Sequence, residues 1–271
     1  DGYMKKWIFS LVMMCAFVAV LAGCGSSDDS SGDGEEKKTL KVLTNAAYNP
    51  MEYMDKDEVV GFDIDFIKAV AEEAGYELDI QHIGWDPLFI EMQSERADLA
   101  ISSITINEDR KKNYEFTVPY YQSANKILVP EDSTITSGAE LKDKTVAVQQ
   151  GTTGDFLAGE ILGKDSPNIK RFKENTLAIM ELSKGGADAV IADQPVVEAY
   201  AKSNPKENLK VIADNSFEAE YYGVMFSKGN TELKAEFDKA INEMLDNGTY
   251  EEIYEKWFGS KPDIEALKAQ Q

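Results

Sequence analysis

Cysteine and histidine are nearly absent from this chain. Its 271 residues include two cysteines, Cys15 and Cys24, both close to the start, and one histidine, His82. The rest of the chain can therefore form neither a disulfide bond nor a thiolate metal site, and it has no CxxC or HExxH pattern. We expect no zinc hydrolase, no bound metal and no cofactor. His82 falls in a predicted strand, and we interpret it as a surface residue.

Positive charge is also scarce. The chain has 28 Lys and Arg against 49 Asp and Glu, a formal net charge of −21. Nucleic-acid binding needs basic stripes that neutralise phosphates, so we expect no nucleic-acid partner. Anionic lipid should likewise not attract the folded surface. Hydrophobic residues at 43% and aromatic residues at 10% are ordinary values for globular proteins.

The one long apolar run lies near the start, from Trp7 to Ala22, and it is short for a membrane span. It follows the basic pair Lys5 and Lys6, an order typical of a signal peptide. The run ends in "LAGC", which resembles the lipobox of bacterial lipoproteins, whose cysteine is lipidated and becomes the mature N-terminus. We predict that Cys24 is this residue. A Sec signal with a chance cysteine and an uncleaved anchor are the alternatives.

Two segments thus precede the globular part. Residues 1–23 are the predicted signal peptide, with residues 1–3, before Met4, treated as extraneous. Residues 24–38 hold the lipidated cysteine and a stretch rich in Gly, Ser and Asp that has no apolar residue. Such a stretch cannot bury a core, so we predict a flexible tether. A tethered domain outside a membrane suggests capture of a solute for import or sensing.

From Thr39 onward, strand-like and helix-like segments alternate. The strands "LKVLTN", "ELDIQHI" and "ADLAISSI" are separated by the helices "GFDIDFIKAVAEEAG", with Asp63 near the N-cap, and "PLFIEMQS". This βαβαβ order predicts a parallel sheet with right-handed crossovers.

A second series begins near Leu141 and has a similar layout. Its predicted strands are "KTVAVQQ", "NIKRF", "ADAVIAD" and "LKVIAD", and its helices are "GDFLAGEIL", "NTLAIMELSKG" and "PVVEAYAKSN". The apolar runs "YYQSANKILVPED" and "EAEYYGVMFSKGN" are interpreted as two strands that cross between the series. The chain then forms two helices broken at Asn247 and Gly248, the second with a capping box at Thr249 and Glu252.

The fold class predicted from this order is α/β, with two parallel-sheet lobes joined by two crossing strands. We assign residues 39–122 and 217–260 to lobe 1, residues 123–216 to lobe 2 and residues 261–271 to a C-terminal tail. Open α/β sheets bind ligands at the carboxyl ends of their strands. Ser102, Thr153 and Asp193 each follow such a strand, so the cleft between the lobes is the predicted site.

One short segment in lobe 1 suggests an anion site. "NEDR" predicts a helix start with Asn107 as N-cap, yet it places a cation, Arg110, in the first turn, where the helix dipole disfavours positive charge. An arginine near free amide and hydroxyl donors is best explained by an anion among them. A solvated basic turn is the alternative, since Lys111 and Lys112 follow.

Six segments, in their order and spacing, resemble the extracytoplasmic solute-binding proteins of polar amino-acid ABC transporters. The segments are "GFDIDFIKAVAEEAG", "GWDPLF", "ADLAISSITINEDRKKNYEFTVPYY", "VAVQQGTTGDF", "GGADAVIADQPVVEAY" and "GTYEEIYEKWFG". The resemblance runs from about Leu40 to Gly259. It implies a bilobal type II periplasmic-binding-protein fold that closes over one amino acid and delivers it to a permease.

The resemblance also implies roles for the ligand's head group. The residues that match positions at the ligand α-carboxylate are Arg110, Thr153, Thr105 and Thr152. Arg110 would form a bidentate pair, and "GTTG" would offer the amides of a helix N-terminus. The residues that match positions at the ammonium group are Asp193 and Ser103. From the residues alone, Asp193 could equally cap a helix, and "GTTG" could be only a turn.

The resemblance further implies that the side-chain end of the ligand meets Tyr48, Trp85, Asn45, Gln149 and Ser102. For Trp85, lobe packing is the alternative. The chain looks closest to arginine-, lysine- and histidine-binding proteins, and flat aromatic rings suit a guanidinium. Arginine is therefore the first expectation. Asn45, however, stands where many binders of basic amino acids have aspartate, so glutamine comes next.

Two other classes compete with this interpretation. A dehydratase-type enzyme of the same fold would need a general acid or base in the cleft, and Asp193 is the one candidate. A ligand-sensing ectodomain would need a membrane span, and none follows Trp257. We therefore expect no enzyme, but a monomer that binds an amino acid, contacts the permease and is lipid-anchored on the outer face of the bacterial cytoplasmic membrane.

The lipobox prediction is testable in a bacterial host. Cys24→Ala should release the protein from membranes and abolish labelling by radioactive palmitate, because the only acylated side chain is lost. Fractionation and autoradiography measure both effects. A variant that stays membrane-bound, with wild-type label, would identify the apolar run as an uncleaved anchor instead.

Overall fold

A computed structural model describes residues 36–271, so the predicted signal peptide, Cys24 and nearly all of the tether lie outside the described residues. The strands are β1 Thr39–Thr44, β2 Ala47–Tyr48, β3 Glu52–Asp55, β4 Glu58–Val60, β5 Glu77–His82, β6 Leu99–Ala100, β7 Tyr114–Phe116, β8 Tyr121–Pro130, β9 Val146–Gln149, β10 Ile169–Phe172, β11 Ala189–Asp193, β12 Leu209–Ile212, β13 Ala219–Tyr222 and β14 Met225–Ser227. The α-helices are α1 Phe62–Ala74, α2 Trp85–Gln93, α3 Glu108–Lys111, α4 Thr153–Leu162, α5 Asn175–Ser183, α6 Gln194–Ser203, α7 Thr231–Asn247, α8 Thr249–Phe258 and α9 Ile264–Lys268.

The first sheet has the strand order β5-β1-β6-β14-β7. Strands β5, β1 and β6 are parallel, as the βαβαβ order predicts, while β14 pairs antiparallel with both β6 and β7. The predicted strand "ADLAISSI" is shorter than expected. It ends at Ala100, and Ser103 then adopts a left-handed φ of 51°, which a strand cannot continue through.

The second sheet has the order β10-β9-β11-β8-β12, and its strands β10, β9 and β11 are parallel. Strand β8 runs antiparallel to β11 and β12 through its second half, and to β13 through its first half. The structure thus confirms the first crossing strand. Assigning residues to lobes by the boundaries given above stays a prediction.

The second predicted crossing strand is in fact two strands, broken at Gly223. Strand β13 pairs with β8, whereas β14 belongs to the first sheet. A side chain at Gly223 would place its Cβ 2.8 Å from Cδ1 and 2.9 Å from Cγ1 of Ile106, so the side chain of Ile106 would have to move. The antiparallel sheet β2-β3-β4 was not predicted at all, and it carries Glu52 at the start of β3.

Two helix starts differ from their predictions. Helix α1 begins after Gly61, which has a φ of 136°, and Asp63 is fully buried rather than a cap. The capping box at Thr249 and Glu252 is wrong. Gly248, with a φ of 89°, both ends α7 and begins α8, and no side chain caps α8. The break itself lies where the sequence predicts it.

Alternating side chains on the strands form apolar cores on both faces of each sheet. In the first sheet, Val42 packs in a cluster with α1 and α7, and Leu43 packs in another with α2. In the second sheet, Val146 packs in a cluster with α4, and Ala147 packs in another with α5 and α6. The helices therefore cover both faces, which leaves the carboxyl ends of the strands open to polar residues.

The packing of α4 on the second sheet gives a matched pair of tests. A Cβ at Gly154 would lie 2.7 Å from the carbonyl oxygen of Ile191, whereas one at Gly159, in the same helix, would meet only Lys164 at 3.5 Å. Gly154→Ala should therefore lower the free energy of unfolding by about 1–3 kcal/mol. Gly159→Ala should leave it unchanged or raise it by about 0.5–1 kcal/mol. Urea unfolding of both variants measures this, and equal effects would contradict the contact.

Candidate functional site

A small cavity lies where β1, β6, β9 and β11 end. All eleven residues predicted for ligand contact line it, together with Glu52. The lining residues are Asn45, Tyr48, Glu52, Trp85, Ser102, Ser103, Thr105, Arg110, Gln149, Thr152, Thr153 and Asp193. The structure thus brings the predicted residues together, and the ligand group that each one binds stays a prediction.

Arg110 points inward from the short helix α3. Oδ1 of Asn107 accepts a hydrogen bond from the Arg110 backbone N–H at 2.9 Å, so the predicted N-cap is confirmed. The guanidinium donates to the carbonyl oxygens of Thr105 (2.8 Å) and Gly151 (3.4 Å). It also lies 5.6 Å from the ring centroid of Trp85, a cation–π distance.

Arg110 is not part of a solvated basic turn, since it points into the cavity while Lys111 and Lys112 form exposed ion pairs with Glu108 and Asp109. Burial lowers the pKa of Arg110 to about 10, which leaves the guanidinium protonated at neutral pH. A buried cation with unused donors is suited to bind an anion.

Asp193 occupies the N-cap position of α6, but its side chain makes no capping hydrogen bond. The carboxylate instead accepts a hydrogen bond from the hydroxyl of Tyr222, and the Asp193 backbone N–H donates to the Tyr48 hydroxyl at 3.3 Å. The capping alternative is therefore excluded. Burial, followed by the nearby charge of Glu220, raises the pKa of Asp193 to about 7.

The segment "GTTG" is a helix start, not only a turn. Oγ1 of Thr152 accepts from the Asp155 backbone N–H at 3.3 Å and donates to the Gln149 carbonyl at 2.8 Å, so Thr152 is the N-cap of α4. The hydroxyl of Thr153 donates to Glu220 at 3.0 Å. Both hydroxyl protons are thus engaged within the protein.

Glu220, on β13, is a charged residue of the site that the sequence analysis missed. Its Oε2 accepts from the hydroxyls of Thr105 and Thr153, both at 3.0 Å, and its Oε1 accepts from Nδ2 of Asn125 at 2.9 Å. Burial raises the pKa of Glu220, and hydrogen bonds from the two threonines oppose this. The sequence carried no signal for it, because Tyr222, two residues further on and on the same face of the strand, is itself placed at the site only by the structure.

These bonds restrict how the threonines can act. A hydroxyl has one proton, so Thr105 and Thr153 cannot donate to a ligand while they donate to Glu220. What the site still offers an anion is the guanidinium of Arg110 and the backbone N–H groups at the start of α4, which begins at Thr153.

Two amide side chains form one wall of the cavity. Nε2 of Gln149 donates to Oδ1 of Asn45 at 3.2 Å, and Nδ2 of Asn45 donates to the Ile83 carbonyl at 3.2 Å. Trp85 lines the cavity and also packs edge-on against Phe89, so the packing alternative and the lining role both hold. His82 is exposed and lies outside the lining, in agreement with the expectation that it is a surface residue.

Glu52 forms a buried acidic pair with Asp63. Glu52 accepts hydrogen bonds from the hydroxyls of Ser102 and Ser103, both at 3.2 Å, and Asp63 accepts from the Ser103 backbone N–H at 2.8 Å and from the Tyr120 hydroxyl at 2.9 Å. Burial and the neighbouring Asp63 raise the pKa of Glu52 well above its usual value. Burial raises the pKa of Asp63 to about 6. Glu52 was missed because its strand was not predicted.

Two other kinds of site, a metal site and a helical membrane span, are absent from residues 36–271. Nowhere in that range do three or more His, Cys, Asp or Glu side chains group so that they could hold a metal ion. None of the helices in that range has both the length and the apolar character needed to cross a membrane.

Comparisons with known proteins give consistent matches. The model of the bacterial extracellular solute-binding proteins, family 3, matches residues 40–260. The arginine-binding extracellular protein ArtP of Bacillus subtilis is 38% identical over 259 residues, covering 94% of this chain and 98% of that protein. The probable histidine-binding protein of Neisseria gonorrhoeae is 34% identical over 261 residues, covering 95% and 97%.

Among solved structures, the arginine-, lysine-, histidine-binding protein ArtJ of Geobacillus stearothermophilus is similar to this chain. The TM-score is 0.83 and the sequence identity 46%, and the match covers 85% of this chain and all of that one.

The raised pKa of Asp193 predicts how stability depends on pH in the ligand-free protein. Between the usual value of 3.8 and about 7 the folded state binds more protons than the unfolded state, so the free energy of unfolding falls as pH rises through this window. The group contributes up to about 1.4 kcal/mol per pH unit. Asp193→Asn cannot titrate and should flatten the slope by about that much, whereas the exposed control Asp165→Asn should not. Urea unfolding across the window measures the slopes, and parallel slopes for Asp193→Asn and wild type would contradict the assignment.

Proposed function

We infer the function from the family and the cavity together, because the chain belongs to the bacterial extracellular solute-binding proteins, family 3. Its fold is the two-lobed α/β fold of type II periplasmic binding proteins. We propose that it binds one polar amino acid outside the cell and delivers it to the permease of an ABC importer. The observation that carries this proposal is that a partly buried guanidinium, Arg110, and a buried carboxylate, Asp193, line one cavity.

Those two charges are complementary to the head group of an amino acid. Arg110 would bind the α-carboxylate, supported by the backbone N–H groups at the start of α4, and Asp193 would bind the ammonium group together with Ser103. Arg110 has five donors and uses two of its N–H groups on carbonyl oxygens, which leaves others for the ligand. Thr105, Thr152 and Thr153 would then act through their positions and their backbone groups, because their hydroxyl protons are already donated within the protein.

The balance of charge in and around the cavity favours a basic side chain. The cavity lining has one cation, Arg110, against the carboxyl groups of Asp193 and Glu52, and a further carboxylate, Glu220, accepts hydrogen bonds from the lining residues Thr105 and Thr153. A zwitterionic head group adds one charge of each sign and leaves this excess of acid unchanged. A positive side chain would reduce it, and Glu52 offers the carboxyl group that Asn45 does not.

Arginine is therefore the ligand we favour, with other basic amino acids close to it. The planes of Tyr48 and Trp85 suit a guanidinium, and the relatives named above carry arginine, lysine or histidine in their names. Glutamine is the next choice, because the amides of Asn45 and Gln149 could pair with an amide. These relatives are named as binding proteins, and we propose no catalytic role for Asp193.

We further propose that the chain acts as a monomer held outside the cytoplasmic membrane by lipid on Cys24. The family is extracellular by description, which supports the side of the membrane, and the "LAGC" sequence supports the anchor. The proposed lobes, residues 39–122 with 217–260 and residues 123–216, would close on the ligand. The bonds that Arg110 makes to Thr105 and Gly151, from the two proposed lobes, support such a closure.

Calorimetric titration tests this function. Of arginine, lysine, histidine, glutamine and leucine, arginine should bind most tightly and be recovered unchanged. Arg110→Ala should weaken its binding by about 2–5 kcal/mol, roughly 30-fold to several thousand-fold, because a buried charge loses its partner. Arg96→Ala removes an exposed arginine and is the matched control.

Two results would overturn parts of the proposal. Arg110→Ala within about threefold of wild type would reject the head-group assignment. Glutamine or leucine binding more tightly than arginine would reject the basic ligand while keeping amino-acid binding.

A further inference from the structure

Two carboxyl groups are buried side by side without a cation. Glu52 is 1% exposed and Asp63 is fully buried. The hydroxyl of Ser103 lies 3.2 Å from Oε2 of Glu52 and 3.5 Å from Oδ2 of Asp63, so the two carboxyl groups are neighbours. Within residues 36–271, neither forms an ion pair with Lys, Arg or His. Two adjacent anions in such surroundings are strongly disfavoured, and retaining one proton between them removes the repulsion.

The hydrogen bonds indicate where this proton lies. Both oxygens of Glu52 accept from serine hydroxyls, and Oδ2 of Asp63 accepts from Ser103 and Tyr120. Oδ1 of Asp63 is buried and receives no hydrogen bond from any donor among the described residues. This oxygen is therefore an available acceptor for the proton that the pair retains.

Other titratable groups near the pair are tyrosines or belong to the head-group end. The tyrosines that interact with Glu52 or Asp63 are Tyr48, Tyr120, Tyr121 and Tyr250. Burial raises the pKa of Tyr120 well above 10, so this hydroxyl does not compete for the proton near neutral pH. The ionisable groups at the head-group end are Arg110, Asp193 and Glu220.

Glu52, but not Asp63, lines the cavity, and Ser102 joins it to the side-chain wall. The Ser102 hydroxyl donates to Glu52 and accepts from the Asn45 backbone N–H at 2.9 Å. A ligand side chain that reaches Asn45 therefore also comes close to the carboxyl group that carries the shared proton.

We propose that Glu52 adjusts its charge to that of the ligand side chain. A guanidinium or ammonium group binds the Glu52 carboxylate and displaces its proton to the solvent, whereas a neutral amide binds the protonated carboxyl and releases no proton from it. This inference rests on the proposed function. It explains how one cavity with amide walls accepts a cation without a fixed, unpaired carboxylate.

The test is calorimetry on the whole chain at neutral pH in phosphate and in Tris, whose ionisation enthalpies differ strongly. The dependence of the binding enthalpy on the buffer gives the number of protons exchanged. Asp193 and Glu220 face the head group, which is the same in arginine and glutamine. Their contribution to the number of protons exchanged is therefore equal for the two ligands. Arginine should release about one proton more than glutamine, and lysine should resemble arginine.

Two variants separate the roles of the pair. Glu52→Gln should abolish the extra proton release and weaken arginine binding at least tenfold, while glutamine binding changes by less than about threefold. Asp63→Asn should also abolish the extra release, because an amide can donate to Glu52 and hold it ionised, but arginine should bind at least as tightly as to wild type. A purely structural role for the pair would not produce opposite effects on arginine affinity.

If a variant fails to fold, the pH dependence of ligand affinity in the wild-type protein still tests the inference. Below neutral pH, arginine affinity should fall about tenfold per pH unit relative to glutamine affinity, which is the linkage of one released proton. Equal proton release for arginine and glutamine would overturn the inference. It would indicate that the ammonium group common to both ligands, and not the ligand side chain, binds at Glu52 through Ser103. Binding of arginine without any extra release, or with parallel pH profiles, would overturn it too. Absence of binding by every amino acid would instead reject the proposed function, and this inference with it.

Discussion

A permanent positive charge almost removed from water, the guanidinium of Arg110, is the constraint on which the rest of the site depends. Arginine keeps its proton near neutral pH, so it cannot avoid the cost of burying a charge by becoming neutral. The protein must therefore surround it with acceptors and anions. Thr105 and Gly151 supply carbonyl oxygens, Trp85 supplies an aromatic face, and Asp193 and Glu220 supply negative charge. The cost of burying the cation is offset by groups drawn from both sheets.

More carboxyl groups than cations lie around the cavity, and this excess of acid determines how the site responds to charge. Burial raises the pKa of both Asp193 and Glu220, the charge of Glu220 raises the pKa of Asp193 further, and Arg110 lowers the pKa of both. The pair Glu52 and Asp63 has no such cation and resolves its repulsion with a proton. The site is therefore a set of carboxyl groups whose protonation depends on what else carries charge beside them, and a ligand adds to that balance.

The scaffold contributes by placing strand ends side by side. Because β1, β6, β9 and β11 end at the cavity, the residues that follow them meet there although they are far apart along the chain. The chain pairs with β8 along β13 and continues as β14 in the other sheet. Glu220 and Tyr222, on the segment before this break, both reach the site from the crossing strand.

The sequence by itself determined the alternation of strands and helices, the cap at Asn107, and the polar residues that follow the strands, because these depend on periodicity and on neighbours a few residues away. Only the tertiary structure decided that Glu220 takes the hydroxyl protons of Thr105 and Thr153, and that Glu52 pairs with Asp63. The sequence places Asp63 near a helix N-cap, and it predicts no strand at Glu52. The physical reason is that burial and charge balance are properties of a residue's whole surroundings, and those surroundings are assembled from segments that are distant along the chain.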